Sequence, residues 1–232
     1  MPPIRPQWKN LRDNEEETNE FFKLTHFQIQ MLLYGASGHA KVIISCLKAN
    51  GQNIEAIFDD DLAKKELKNI PVIGSYDADF VPESPLIVAI GYNDIRKKVV
   101  SFIQHRFGTV VHPSAVVDES VELGFGTVVF HQATIQADAK IGRHVIINTA
   151  ASIDHDCQIA DFVHIAPNAT LCGNVRVDEG TLVGAGAVVA PNLQIGQGCL
   201  IAAGTVVTRD IPDFAVVRGN PGRVIKLIKS SF

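Results

Sequence analysis

From Val111 to Val207 an aliphatic residue stands at every sixth position, 17 times in 17 opportunities. An α-helix repeats at about 3.6 residues and a flat strand at about 2, so neither produces a strict six. Hexad repeats build a parallel β-helix, in which three short strands make one triangular coil. Four residues after each aliphatic comes a second small or aliphatic residue, such as Ala133, Val145, Cys157, Ala169 or Ala187, as a narrow prism requires. Three residues after it, where the chain turns a corner, 11 of the 17 positions are Gly, Asn or Asp. Those residues tolerate a left-handed backbone best, which predicts a left-handed β-helix. At 18 residues per coil, 17 hexads make between five and six coils. No loop interrupts them, so coil side chains must build any site. Walls of this composition are expected to lean apolar and to pack against copies of themselves.

The pattern ahead of the repeat is different. Gln30–Tyr34, Ile54–Phe58, 71–73 and Leu86–Ile90 read as strands, with helices after Gly38 and after Asn93, so a small parallel Rossmann-like α/β domain is predicted. The expected boundaries are a tail over 1–27, the α/β domain over 28–110, the β-helix over 111–212 and a closing segment over 213–232. A short helix is expected around Glu16 to Phe22. The turn Gly35-Ala36-Ser37-Gly38 sits where a strand hands over to a helix, a place where backbone N–H groups and the helix N-terminus hold phosphate. An acidic run, Asp59-Asp60-Asp61, begins 24 residues beyond Gly35, near the spacing of a ribose-binding carboxylate. The full G-x-G-x-x-G fingerprint is absent, since Ser37 and Ala40 stand at two of its positions.

The net charge of −4 argues against a nucleic-acid partner. No apolar run approaches the roughly 20 residues of a membrane span. Four cysteines without a CxxC pair read as reduced thiols of a cytoplasmic protein.

Tyr34-Gly35-Ala36-Ser37-Gly38-His39-Ala40-Lys41, Phe58-Asp59-Asp60-Asp61, Ala89-Ile90-Gly91-Tyr92-Asn93-Asp94-Ile95-Arg96 and Asp154-His155-Asp156-Cys157 together resemble the NeuD/PglD-like sugar acyltransferases. The resemblance runs from about Met31 to Val224, and Arg218-Gly219-Asn220-Pro221-Gly222-Arg223 looks like the closing motif of hexapeptide acyltransferases, with Gly222 where Ala is usual. It implies an enzyme that acetylates a nucleotide-linked amino sugar, a front domain holding that sugar, and a homotrimeric β-helix holding acetyl-CoA between subunits, with no metal. By resemblance Ser37, Gly38 and His39 contact the phosphates or sugar, Asp60 and Asp61 the nucleoside, and Gly91 the same pocket. His164, Gly173, Ala185 and Ala203 correspond to positions against which the coenzyme lies. Five basic residues between Arg209 and Phe232, against two acidic ones, suit its phosphates.

Acetyl transfer to an amine needs a base working near neutral pH, and imidazole suits that task. Five of the eight histidines fall in the first half of the repeat: His112, His131, His144, His155 and His164. His155 is the one whose stacked neighbours, 18 residues away on either side, are the minimal Ala137 and Gly173. Asp156 beside it is placed to orient the ring and raise its basicity. An acetyl-enzyme on Cys157 is excluded because its hexad slot faces the core, whereas Cys172 stays open to one. Three alternatives stand beside N-acetylation: O-acetylation of a sialic acid, a three-histidine zinc hydratase like the γ-carbonic anhydrases, and a non-catalytic nucleotide-sugar sensor.

Overall fold

The computed structural model describes residues 30 to 228. The expected tail and its short helix lie outside the described residues, as does the end of the closing segment from 229 onward. The front part consists of β1 (Met31–Tyr34), α1 (Gly38–Ala49), β2 (Ile54–Phe58), β3 (Glu66–Leu67), β4 (Ile70–Pro71), β5 (Leu86–Val88) and α2 (Asn93–Val100). Strands β2, β1 and β5 pair parallel in that order. Every residue of β1 is buried, as in a central parallel strand covered on both faces.

Two expectations for this part need correction. The strand expected at 71–73 is instead β4 of a small antiparallel hairpin with β3. Lys68 and Asn69 turn it with φ of 56° and 64°, the backbone of a tight two-residue hairpin. Val72 keeps only a single bridge to Ile57. The strand expected to reach Ile90 ends at Val88, after which Ala89 gives one further N–H to Tyr34 and the chain crosses Gly35.

The rest is the β-helix. Seventeen two-residue strands, β6 (Val110–Val111) through β22 (Val206–Val207), recur every six residues and stack parallel into three walls. The second residue of each strand points inward: from Val129 to Val207 these aliphatics are buried, in one column with Ala133, Val145, Cys157, Ala169 and Ala187. At the open N-terminal end Val111, Val117 and Leu123 are only partly covered. Threonines in the column are paired, since Thr127 donates to the Gly142 carbonyl and Thr181 to that of Gly196, so no buried hydroxyl is stranded. Strands β23 (Ala215–Arg218) and β24 (Arg223–Leu227) close the far end, β23 parallel to Leu200–Ile201 and β24 antiparallel to β23.

Fourteen of the 17 corners have the left-handed backbone the repeat predicts. Asp210 was expected among them and is not, because the chain there leaves the repeat: its carboxylate accepts the Gln194 N–H and Ile211 bridges to Ile195. Gln132, His144, Ala150 and Phe162 are among them without being Gly, Asn or Asp.

The walls differ in what they show outward. On the first, Val110, Val128 and Ile146 are buried together with Phe130 beneath Ile43, Ile44 and Leu47 of α1, which fixes the front part on the early coils. Further along that wall the outward residues are His164, Leu182 and Leu200. The second presents Val116, Thr134, Ser152, Thr170, Val188 and Val206, an even mix of small hydroxyl residues and valines rather than the apolar-leaning surface expected. The third carries Glu122, Lys140, Gln158, Arg176 and Gln194 and is polar. Among the described residues no helix is long and apolar enough to cross a membrane.

Candidate active site

The glycine turn after β1 is held from below. Gly35 has φ +102°, and a Cβ there would press on Ile90 and the Ala89 carbonyl at 3.1 and 3.2 Å, so only glycine lets β1 leave beside β5. Asp59 accepts the Ala36 and Asp61 N–H groups and the Lys64 ammonium at 2.6 to 2.9 Å. Burial pushes the Asp59 carboxyl up, but these donors outweigh it and hold it below the usual range. Asp59 is thus spent on shaping the turn. Asp60 takes the Tyr34 hydroxyl at 2.8 Å and remains exposed with Asp61 at the C-terminal edge of β2. Ser37 and Gly38 are exposed where α1 begins, and no side chain caps that end.

A buried cation fixes the next loop. The Arg96 side chain, 1% exposed, donates Nε to the His144 carbonyl, Nη1 to Ile90, and Nη2 to Asn93 Oδ1 and the Phe162 carbonyl. Asn93 Nδ2 in turn donates to the Gly180 carbonyl at 2.9 Å. Residues 144, 162 and 180 are one corner in three successive coils, so α2 reads a ladder of corner carbonyls and sets Gly91 against the first wall. The sequence offered Arg96 only as part of a motif, because an arginine on a short helix reads as a solvated one.

Three histidines surround this cation. His164 Nδ1–H donates to the Gly91 carbonyl at 3.2 Å and its Nε2 receives Asn148 at 3.0 Å, so neither nitrogen is free to act as a base. The His39 ring lies 6.3 Å from that of His164, beside Gly91. Burial first, and then neighbouring charge including Arg96, push His39, His144 and His164 down to about 4. All three are neutral at pH 7.

His155 is different. It sits on the corner between the second and third walls with its side chain 60% exposed. Nδ1 meets Asp156 Oδ2 at 2.7 Å, leaving Nε2 as the free nitrogen. The hydrogen bond to Asp156 and the charge of Asp154 raise its basicity above that of ordinary imidazole. Asp156 holds the left-handed corner at φ 61°. A recess of about 540 Å³ beside the ring is lined by Asp138, Lys140, Gln158, Asn174 and Asn192, with no residue of the front part.

Residues 30–103 match the profile described as PglD N-terminal domain, and 174–209 that of the bacterial transferase hexapeptide, six repeats. No curated protein matches the chain. Among solved structures, perosamine N-acetyltransferase from Caulobacter crescentus, in complex with CoA and GDP-perosamine and with one histidine replaced by asparagine, is 37% identical. That alignment covers 85% of this chain and 97% of the other, with a TM-score of 0.82. The acetyltransferase domain of PglB from Neisseria gonorrhoeae is 35% identical over 85% and 100% of the two chains, TM-score 0.80. WeeI from Acinetobacter baumannii is 29% identical over 84% and 99%, TM-score 0.76.

This chain belongs to the PglD/NeuD-like sugar acetyltransferases. A PglD-like enzyme of this sequence divides its candidate residues between two places. Gly91, His164, Ala185 and Ala203 line one recess of about 440 Å³ on the first wall, roofed by Tyr92. His39 packs beside Gly91 and His164, and the exposed Ser37, Gly38, Asp60 and Asp61 belong to the same front part. His155, Asp156 and Gly173 lie together on the other corner. Cys157 is buried, whereas Cys172 is half-exposed. His112 and His131 stack ring on ring at 3.7 Å, yet among the described residues no three His, Cys, Asp or Glu are placed to hold a metal.

Proposed function

We propose that this PglD-like acetyltransferase transfers acetyl from acetyl-CoA directly to the amino group of a nucleotide-linked deoxy-amino sugar, with His155 as general base. The observation that carries the base assignment is the 2.7 Å contact between Nδ1 and Asp156, which fixes the tautomer with Nε2 as acceptor. His164, the rival imidazole, has both nitrogens committed. The complexes of perosamine N-acetyltransferase with CoA and GDP-perosamine support the donor, the acceptor class and the amine rather than the hydroxyl. In this reading the glycine turn and α1 N-terminus hold the diphosphate at Ser37, Gly38 and His39, Asp60 and Asp61 face the nucleoside, and His164, Ala185 and Ala203 line the coenzyme's path.

The two halves of the site are joined by assembly. The second wall, whose outward residues are small hydroxyl residues and valines, is the surface for a homotrimer, in which the His155 corner of one subunit meets the Gly91 recess of the next. Four free thiols suit a cytoplasmic protein.

His155→Ala tests the base. Its kcat should fall about 100-fold or more, the scale of a positioned general base, while KM for both substrates stays near the parent value. Near-normal turnover at neutral pH would contradict the assignment.

A further inference from the structure

The His155 imidazole occupies space that glycine at position 173 leaves open. A Cβ built on Gly173 would lie 2.6 Å from His155 Nε2 and 2.7 Å from Cε1. Two such atoms cannot approach that closely. Backbone conformation is not what calls for glycine, because Gly173 is absent from the left-handed positions that mark the corners. The equivalent hexad slot holds alanine at 137, 185 and 203, so the coil itself accepts a Cβ there. What differs at 173 is the ring lying against it.

We propose that Gly173 is a positioning residue for the acetyl transfer: its missing side chain is the slot that seats the His155 ring against the next coil while Nδ1 stays on Asp156. This rests on the reading of His155 as the base. The charged groups about the ring are Asp154 and Asp156 of its own corner and Asp138 and Lys140 of the preceding coil, with Asn174 and Asn192 on the following side. In Gly173→Ala the ring, 60% exposed, swings outward and the coil stays folded. The imidazole then loses Asp156, its orientation and its added basicity together.

The test is a double-mutant cycle of Gly173→Ala and His155→Ala, with the His155 pKa followed by NMR in the single Gly173→Ala variant. Gly173→Ala should lower kcat about 10- to 100-fold with KM for acetyl-CoA within about 2-fold. Its His155 pKa should fall toward the ordinary value of about 6.5. The double variant should be no slower than His155→Ala alone, because the glycine acts only through the ring. A raised KM for acetyl-CoA with an unmoved His155 pKa would mean that Gly173 touches the coenzyme instead, and would overturn the role. Additive losses in the double variant would overturn it equally. Near-normal turnover of His155→Ala sinks the base assignment and this role with it, whereas a crippled His155→Ala beside an unaffected Gly173→Ala sinks the role alone.

Discussion

His39, His144 and His164 are held neutral around the buried Arg96, and that arrangement ties stability to pH. Their folded pKa values, about 4, lie below the roughly 6.5 of an exposed imidazole. The unfolded chain therefore takes up protons first as the solution is acidified. The stability is fully present above about pH 6.5 and drains away as pH falls toward 4, on the order of 3 kcal/mol for one isolated imidazole. Urea midpoints measured between pH 7.5 and 4.5 should fall accordingly, and His144→Phe should flatten the slope. Phenylalanine suits that corner, since Phe162 occupies the equivalent position one coil on with φ 59°. A midpoint independent of pH in the parent protein would contradict the buried, neutral assignment. The surroundings of His155 were legible in the sequence because they lie beside it or one coil away, Asp156 at Nδ1 and Gly173 against the ring. The Nδ1 bond from His164 to Gly91 was not, since the partners are 73 residues apart.

Helix α2 is fastened to the prism chiefly by Arg96 and Asn93, which between them hold the corner carbonyls of His144, Phe162 and Gly180. Arg96→Leu would leave the carbonyls of His144 and Phe162 buried without their donor, at about 1 to 3 kcal/mol for each such group. A loss of about 2 to 4 kcal/mol is expected, and Arg96→Lys should recover little of it because an ammonium cannot reproduce the planar fork. Denaturant unfolding of the two variants checks this, and an Arg96→Leu protein within about 0.5 kcal/mol of its parent would contradict the clamp. The strands themselves followed from the six-residue period with no error of register. Individual corners were less legible: Gln132, His144, Ala150 and Phe162 rarely choose a left-handed backbone, and only the stacking of neighbouring coils imposes it on them. The β3–β4 hairpin was missed for a related reason, its turn being made by Lys68 and Asn69 rather than by a glycine.

The molecule as a whole carries the residues proposed for acetyl transfer at two separate places on one chain. The front part, His164, Ala185 and Ala203 surround one recess, while His155, Asp156 and Gly173 sit on another corner. Fold and residue types were readable from the hexads and the glycine turn. The resemblance implied a coenzyme held between subunits, but which residues fall at which place was not readable, because that depends on which wall the front part covers. The account's central claim, that a neighbouring subunit brings the base to the sugar, is tested by mixing two inactive variants. His155→Ala lacks the base. Gly38→Glu blocks the phosphate site with bulk and negative charge, and folds because a Cβ at Gly38 meets nothing within 4 Å. Co-expressed at equal levels, half of the junctions should have an intact front part and half of those an intact corner, so about one quarter of parent activity should return. Activity no higher than that of the separate variants, in a preparation shown to contain mixed oligomers, would contradict a site shared between subunits.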